Sequence, residues 1–183
     1  CDGGGGTCNP ILRNVTFAGN FASQFGAALF NDGDSGGDAS PVIVNARFEN
    51  NTVGGSDSNP SGGGAICNLG AFGSQTATPT IMNTTFVNND ADSGGAIYNN
   101  LGAAPLITNS SFAGNEATSS GGAIYNIDGS AVEPTIQNTI LWGNVSDANS
   151  DGSGNGDEIY NENGVASAPI AHSIVQGSGG SAN

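Results

Sequence analysis

One sequence motif recurs along the chain and constrains its fold more than any other feature. It reads Pro-x-aliphatic-x-Asn-x-x-Phe-x-x-Asn and, after a variable stretch, Gly-Gly-Ala-Ile-Tyr-Asn; the clearest copy runs from Pro79 to Asn99. The copies begin at prolines 10, 41, 79, 105, 134 and 169. The distance from the proline to the aromatic position is constant, and every insertion follows the second or the last asparagine. Constant strands joined by turns that accept insertions are typical of a solenoid.

The short runs inside each copy have the two-residue periodicity of β-strands, as in the alternation of Ile81 and Asn83. We therefore predict an all-β fold, a right-handed, single-stranded parallel β-helix of about six coils. It occupies residues 10–183, with coils that start near each of the six prolines. Residues 1–9 are either a polar N-terminal segment or the end of a preceding coil.

Two columns of apolar side chains are predicted to stack between coils and form the core. The aliphatic column contains Leu12, Ile43, Ile81, Ile107 and Ile136. The aromatic-position column contains Phe17, Phe48, Phe86, Phe112 and Leu141. Asparagine tolerates left-handed backbone at the corners and can bond to the neighbouring coil, while the Gly-Gly pair permits a turn that a Cβ would obstruct.

A further column lies at the last strand of each copy and contains Phe30, Cys67, Tyr98, Tyr125 and Tyr160. Its neighbours in sequence are Leu29, Ile66, Ile97, Ile124 and Ile159. Adjacent strand residues point in opposite directions. The position before the isoleucine is Glu158 in the fifth coil, and an unpaired buried glutamate is costly. We therefore expect the isoleucines inside and the aromatic rings outside. The outward rings could bind glycans or another protein. In the alternative interpretation, which we favour, turns such as residues 101–104 cover these rings.

The charge of the chain limits its partners. Sixteen acidic residues face two arginines, Arg13 and Arg47, and the net charge is −14. Without a basic surface, nucleic acid and anionic membranes are unfavourable partners, whereas cations are favourable ones. No apolar run has the length of a transmembrane helix, so direct membrane insertion is not expected.

Two of the three cysteines lie close together in the sequence. Cys1 and Cys8 could form a disulfide, which would suit an oxidising, extracellular compartment. Alternatively both are free or pair elsewhere, and Cys67 is left over. The abrupt start at Cys1 and the polar end suggest a piece of a longer polypeptide.

The insertion of the fifth coil carries the strongest chemical motif, which runs from Asp147 to Glu158. It fits the twelve-residue calcium-loop pattern, although strands rather than helices should flank it here. The candidate ligands are the side-chain oxygens of Asp147, Asn149, Asp151, Asn155 and Glu158, together with the carbonyl oxygen of Ser153. The alternative is a flexible acidic loop. A second acidic loop, residues 32–38, lacks the closing glutamate.

The combination of Gly-Gly-Ala-Ile with Phe-x-x-Asn, in residues 86–97 and 112–124, resembles the repeat of polymorphic outer-membrane proteins and related bacterial β-helix surface proteins. Residues 138–177 resemble the choice-of-anchor C-terminal regions of secreted bacterial proteins. The resemblance implies an extracellular or cell-surface structural or adhesive module. Its partners would be further coils of the parent chain, other copies stacked end to end, surface glycans or another protein.

The alternative function is a carbohydrate-binding or polysaccharide-degrading β-helix. A lyase needs a base beside a cation-bound acidic sugar, and a hydrolase needs paired carboxylates. Arg13 and Arg47 occupy different repeat positions, Glu49 is an isolated strand-face carboxylate, and His172 lies in the last, decaying coil. We therefore expect no enzymatic activity, neither polysaccharide lyase nor glycoside hydrolase.

Overall fold

The computed structural model describes residues 1–2, 5–33, 37–54, 61–71, 77–127, 134–146, 158–162 and 169–177. In these residues the chain forms short β-strands and no helix, so none of them builds an apolar helix that could span a membrane. The calcium-loop residues from Asp147 to Asn155 lie outside the described residues.

The strands form four parallel sheets, and each sheet takes one strand from each successive coil. Sheet 1 consists of β1 (Ile11–Arg13), β5 (Val42–Val44), β9 (Thr80–Met82), β13 (Leu106–Thr108), β17 (Thr135–Gln137) and β21 (Ile170–Ala171). Sheet 2 consists of β2 (Thr16–Ala18), β6 (Arg47–Glu49), β10 (Thr85–Val87), β14 (Ser111–Ala113), β18 (Ile140–Trp142) and β22 (Ile174–Val175).

The other two sheets have five described strands each. Sheet 3 consists of β3 (Phe21–Ala22), β7 (Thr52–Val53), β11 (Asp90–Ser93), β15 (Glu116–Ser120) and β19 (Val145–Ser146). Sheet 4 consists of β4 (Leu29–Asp32), β8 (Ile66–Leu69), β12 (Ile97–Asn100), β16 (Ile124–Asn126) and β20 (Ile159–Asn161). Because one coil contributes to all four sheets in turn, the arrangement confirms the predicted parallel β-helix.

The two predicted core columns are confirmed. Ile81 pairs in register with Ile43 and Ile107, and Phe86 pairs with Phe48 and Phe112. All six of these side chains have no exposed surface. The phenylalanine rings lie almost parallel, with centroids 5.0 Å apart between Phe48 and Phe86 and 4.5 Å apart between Phe86 and Phe112. The interior is therefore a continuous stack of like side chains.

The corner between sheets 1 and 2 uses the left-handed backbone region in each coil. The residues with positive φ there are Asn14, Asn45, Asn83, Asn109, Asn138 and His172, with φ between 50° and 53°. Asparagine adopts this conformation more readily than other residues with a side chain. His172 thus occupies the corner position of the sixth coil, and it is exposed.

Both glycines of the Gly-Gly pair are required by close contacts. Gly94 has φ +62°, and an added Cβ would lie 2.3 Å from the carbonyl oxygen of Ile97. At Gly95 an added Cβ would lie 2.3 Å from the carbonyl oxygen of Gly122 in the next coil. A side chain at either of these two positions would overlap backbone, which explains the two glycines of coil three.

The aromatic column was oriented on the assumption that inward and outward side chains alternate along the strand. This alternation does not hold at the corner after these glycines. Ala96 and Ile97 are both fully buried, and both of their backbone N–H groups donate to the carbonyl of Ala123. Consecutive residues therefore face the core. Glu158 occupies the alanine position of the fifth coil and is only 5% exposed. The isoleucines are inside as predicted, but the premise that the preceding position faces solvent is wrong.

The residues before Pro10 lie against the end of coil one. Asp2 forms a parallel bridge with Asp32, and Thr7 forms one with Asp38. Cys1 and Cys8 are joined by a disulfide with their Cα atoms 5.7 Å apart. We call residues 1–2 and 5–9 the N-terminal arm. The arm pairs with coil one in the same parallel manner in which successive coils pair with each other.

We predict that Phe86→Ala lowers the free energy of unfolding by about 3–5 kcal/mol, because it removes a buried ring from the centre of the phenylalanine stack. Chemical denaturation followed by circular dichroism measures the change. Thr85→Ala, on the outer face of the same strand, is the matched control and should change it by no more than about 0.5 kcal/mol. Equal effects of the two substitutions would contradict the buried stack.

Candidate functional site

Two buried rows of asparagine side chains run along the solenoid and bond its coils together. The first row contains Asn20, Asn51, Asn89, Asn115 and Asn144. The second contains Asn31, Asn68, Asn99, Asn126 and Asn161. In both rows each Nδ2 donates to the Oδ1 of the asparagine in the following coil, at 2.7–2.9 Å. The rows therefore have a direction, with their donors towards the C-terminal coils.

In the first row, the Asn115 side chain forms hydrogen bonds through both its Nδ2 and its Oδ1. Its Nδ2 donates to Asn144 Oδ1 at 2.7 Å and to the carbonyl of Phe86 at 3.1 Å. Its Oδ1 accepts from both the backbone N–H and the Nδ2 of Asn89. The same pattern at Asn51 and Asn89 means that these asparagines substitute for backbone hydrogen bonds at the corner between sheets 2 and 3.

Glu158 is the one candidate calcium ligand within the described residues. Its Oε2 accepts a hydrogen bond from Asn144 Nδ2, where earlier coils would present another asparagine. Its carboxylate is thus directed into the solenoid, at the end of the first asparagine row. The other ligands, Asp147, Asn149, Asp151, Ser153 and Asn155, are not described. Among the described residues no group of three or more His, Cys, Asp or Glu side chains could hold a metal.

The predicted aromatic column forms a stack along sheet 4, although Tyr98 is only 3% exposed. Ring centroids are 5.4 Å apart between Tyr98 and Tyr125 and 5.5 Å apart between Tyr125 and Tyr160. Cys67 interrupts the column, and Phe25 fills the gap, with its ring 6.2 Å from Phe30 and 5.8 Å from Tyr98. The stack is therefore partly covered and leaves Tyr125 and Tyr160 half-buried.

Tyr98 is buried because the residue that faces its ring packs closely against it. An added Cβ at Gly62 would lie 2.3 Å from the Tyr98 ring, so this ring fits only because the residue facing it is glycine. The Tyr125 hydroxyl donates to Glu162 Oε2 at 2.9 Å, and burial together with this bond raises the pKa of Tyr125. Burial, with a smaller effect of Asp32, raises the pKa of the Cys67 thiol and keeps it protonated.

Sequence reasoning missed a pair of carboxylates on the outer face of sheet 3. Asp90 and Glu116 are direct neighbours in register on β11 and β15, in successive coils. Burial raises the pKa of the Asp90 carboxyl, and the charge of Glu116 raises it further. Beside them Thr118 Oγ1 donates to Asp92 Oδ1 at 2.7 Å. The signal was present in the repeat, because Asp90 and Glu116 each follow the second asparagine of their copy directly and so hold the same repeat position.

Glu49 lies beside Arg47 on sheet 2. Its Oε2 accepts a hydrogen bond from Arg47 Nε on the same exposed strand face. A surface pair of this kind contributes little to stability.

The outer face of the last coils is apolar, which the sequence analysis also did not identify. Ile140 and Ile174 are neighbours in register on β18 and β22, and both are exposed. Trp142, on the same face of β18, is 58% exposed. The alternation of Ile140 and Trp142 around buried Leu141 was the available signal.

We predict that Asn115→Ala lowers the free energy of unfolding by at least about 3 kcal/mol, since it leaves several buried donors and acceptors without partners. Thermal and chemical denaturation measure the loss. Asn109→Gly is the control, because this asparagine is exposed and glycine accepts its positive φ without strain. A loss at Asn109 as large as that at Asn115 would contradict a stabilising role specific to the buried row.

Comparison with known families identifies the repeat. The family model of the Chlamydia polymorphic membrane protein (Chlamydia_PMP) repeat matches residues 83–100 and 109–127. No curated protein and no solved structure matches the chain. The matched segments run from a corner asparagine of coils three and four to the last strand of the same coil, β12 or β16. The resemblance of residues 138–177 to an anchor region is not among the matches and stays a prediction. Residues 83–100 and 109–127 are therefore similar to the repeat of the Chlamydia polymorphic membrane proteins, and they lie in two stacked coils of the parallel β-helix.

Proposed function

We propose that the chain is an extracellular structural or adhesive β-solenoid module of a bacterial surface protein. The observation that carries this proposal is the repeat itself. It matches the repeat of a bacterial membrane-protein family, and its asparagines and phenylalanines serve the contacts between coils. The asparagine and phenylalanine side chains that connect the coils are not groups that would act in a catalytic site. The outer surface of the solenoid leaves Trp142 and Phe21 exposed for contact with a partner.

The exposed apolar side chains support an adhesive role. Trp142 and Ile140 lie on one face, and Phe21, which is 70% exposed, lies on another side of the rod. Large exposed apolar side chains on a stable scaffold are typical of surfaces that bind another protein or a glycan. The net charge of −14 favours partners that are neutral or cationic.

We predict that antibodies against the chain label intact cells of the source bacterium as strongly as permeabilised cells, because a surface module must be accessible from outside. Flow cytometry compares the two, and an antibody against a cytoplasmic protein is the control. Labelling that requires permeabilisation would contradict a surface location. In parallel, beads coated with the chain should adhere to a glycan- or protein-coated surface less strongly after Trp142→Ser.

A second candidate function, a polysaccharide hydrolase, is favoured by the Asp90–Glu116 pair. Neighbouring carboxylates, one with a raised pKa, are what a general acid and its partner require. Release of reducing ends from neutral or acidic polysaccharides by the purified chain, lost in Glu116→Gln, would support this function over the adhesive one. Absence of release would leave the pair as surface carboxylates.

We also propose that calcium stabilises the fifth coil by binding the loop from Asp147 to Glu158. The support is the spacing of oxygen-bearing residues in the sequence and the position of Glu158, which anchors the end of the loop to Asn144. A cation would relieve repulsion between the carboxylates and order a glycine-rich segment. Secreted modules bind calcium weakly, with Kd on the order of 10⁻⁴–10⁻³ M.

We predict that millimolar calcium raises the melting temperature relative to chelator, and that the gain disappears as the pH falls through the carboxylate range. Differential scanning calorimetry measures it. The double variant Asp147→Asn, Asp151→Asn should lose the gain. Glu158→Gln separates two roles, since glutamine can still accept the Asn144 hydrogen bond but carries no charge. Identical melting curves of the unmodified chain with calcium and chelator would contradict the site.

A further inference from the structure

The carboxylates of Asp90 and Glu116 meet where coil three packs on coil four. Asp90 on β11 pairs in register with Glu116 on β15, and the same position in the flanking coils carries Thr52 and Val145. Neighbouring strands lie about 4.8 Å apart, so the two carboxylates extend side by side on the outer face of sheet 3. Like charges that face each other on neighbouring strands are destabilising. In the described part of this column, the repulsion falls on one contact between coils.

The backbone on both sides holds the pair in place. The Asp90 N–H donates to the carbonyl of Asn51, and the Glu116 N–H donates to the carbonyl of Asn89, each at 2.9 Å. Directly before the pair, Asn89 Nδ2 donates to Asn115 Oδ1 at 2.9 Å inside the solenoid. The two strands cannot separate here without breaking the first asparagine row. Repulsion between the carboxylates can therefore be relieved by side-chain rotation or by a proton, but not by movement of the strands.

No basic side chain compensates the charge of the pair. The chain contains two arginines and one histidine. Arg47 pairs with Glu49 on sheet 2, and Arg13 lies on sheet 1. His172 lies at the corner between sheets 1 and 2. All three basic side chains are therefore on other sides of the solenoid.

The groups that face the pair in the described residues are acidic or uncharged. Asp92 lies on the same face of β11, and its Oδ1 accepts from Thr118 Oγ1 on β15 at 2.7 Å. The neighbouring strands β7 and β19 present Thr52 and Val145. Burial, and then the charge of Glu116, raise the pKa of the Asp90 carboxyl. The folded chain thus binds a proton here more tightly than the unfolded chain does.

We propose that Asp90 and Glu116 form an acid-strengthened contact between coils three and four. At neutral pH both carboxylates are charged, and their repulsion opposes the packing of the two coils. In mild acid one carboxyl group is protonated, and its O–H donates to the carboxylate of the other, so the same pair joins the coils. This inference goes beyond the proposed surface role and does not depend on it.

The sign of the pH dependence follows from the direction of the pKa shift. Because the pKa of Asp90 is raised in the folded state, folding takes up a proton at this pair. The destabilisation is complete above the raised pKa of the folded pair. It disappears as the pH falls towards the ordinary pKa of an aspartate, about 3.9.

The test measures the melting temperature of the full chain in chelator, from about pH 7.5 to about pH 4. Asp90→Asn removes one charge and keeps the shape of the side chain. It should raise the melting temperature by about 1–4 °C at neutral pH, and this gain should fall to near zero at about pH 4. Glu116→Gln should give a similar gain. The double variant should gain no more than either single variant, because the repulsion can be removed only once.

Asp92→Asn is the matched control. It removes the same charge from the same face, and asparagine can still accept the hydrogen bond of Thr118. Its gain at neutral pH should be smaller, and it should be the same in the presence and absence of Glu116→Gln. Circular dichroism establishes that every variant is folded. A gain from Asp90→Asn no larger than that of the control, gains that add in the double variant, or a gain unchanged at about pH 4 would overturn the proposal.

Discussion

The register between successive coils is the constraint on which the rest of this structure depends, and the buried asparagine rows are its most specific determinant. Apolar columns alone tolerate small shifts, because isoleucine packs on isoleucine over a range of positions. An amide that must donate to one neighbour and accept from another has far less freedom. At Asn115 the side chain bonds to coils on both sides, so a shift of either coil would leave buried polar groups unpaired.

This division of tasks leaves the outer faces free to vary. The core and the rows use the aliphatic, phenylalanine, asparagine and glycine positions, and no charged side chain is needed there until Glu158. Outward positions along one sheet accordingly range from Arg47 and Thr85 to Ile140 and Ile174. A scaffold of this kind can carry a binding surface on any side without loss of stability, which suits the adhesive role proposed here better than a role that needs one conserved cleft.

Glu158 connects the scaffold with the acidic insertion of the fifth coil. It replaces the small alanine of the preceding coils and receives the amide of the last asparagine in the first row. In the described residues the first row thus passes from Asn144 to a carboxyl group instead of another amide. Glu158, which follows the acidic insertion in sequence, is thereby attached to the core at a defined point.

Much of the fold was determined by the sequence itself. The constant spacing from proline to phenylalanine predicted the coils, and the columns through Ile81 and Phe86 were assigned correctly because a period of two in strands needs no knowledge of the turns. The orientation of Glu158 was not predictable in this way, because the alternation breaks at this corner, where two consecutive residues such as Ala96 and Ile97 share one acceptor and both face the core. The Asp90–Glu116 pair could have been read from the repeat, because both residues directly follow its second asparagine. The ring of Phe25 beside Tyr98 could not, because these residues lie two coils apart and only the stacking of the coils makes them neighbours. Local periodicity is a property of the sequence; proximity across coils depends on how each variable turn closes.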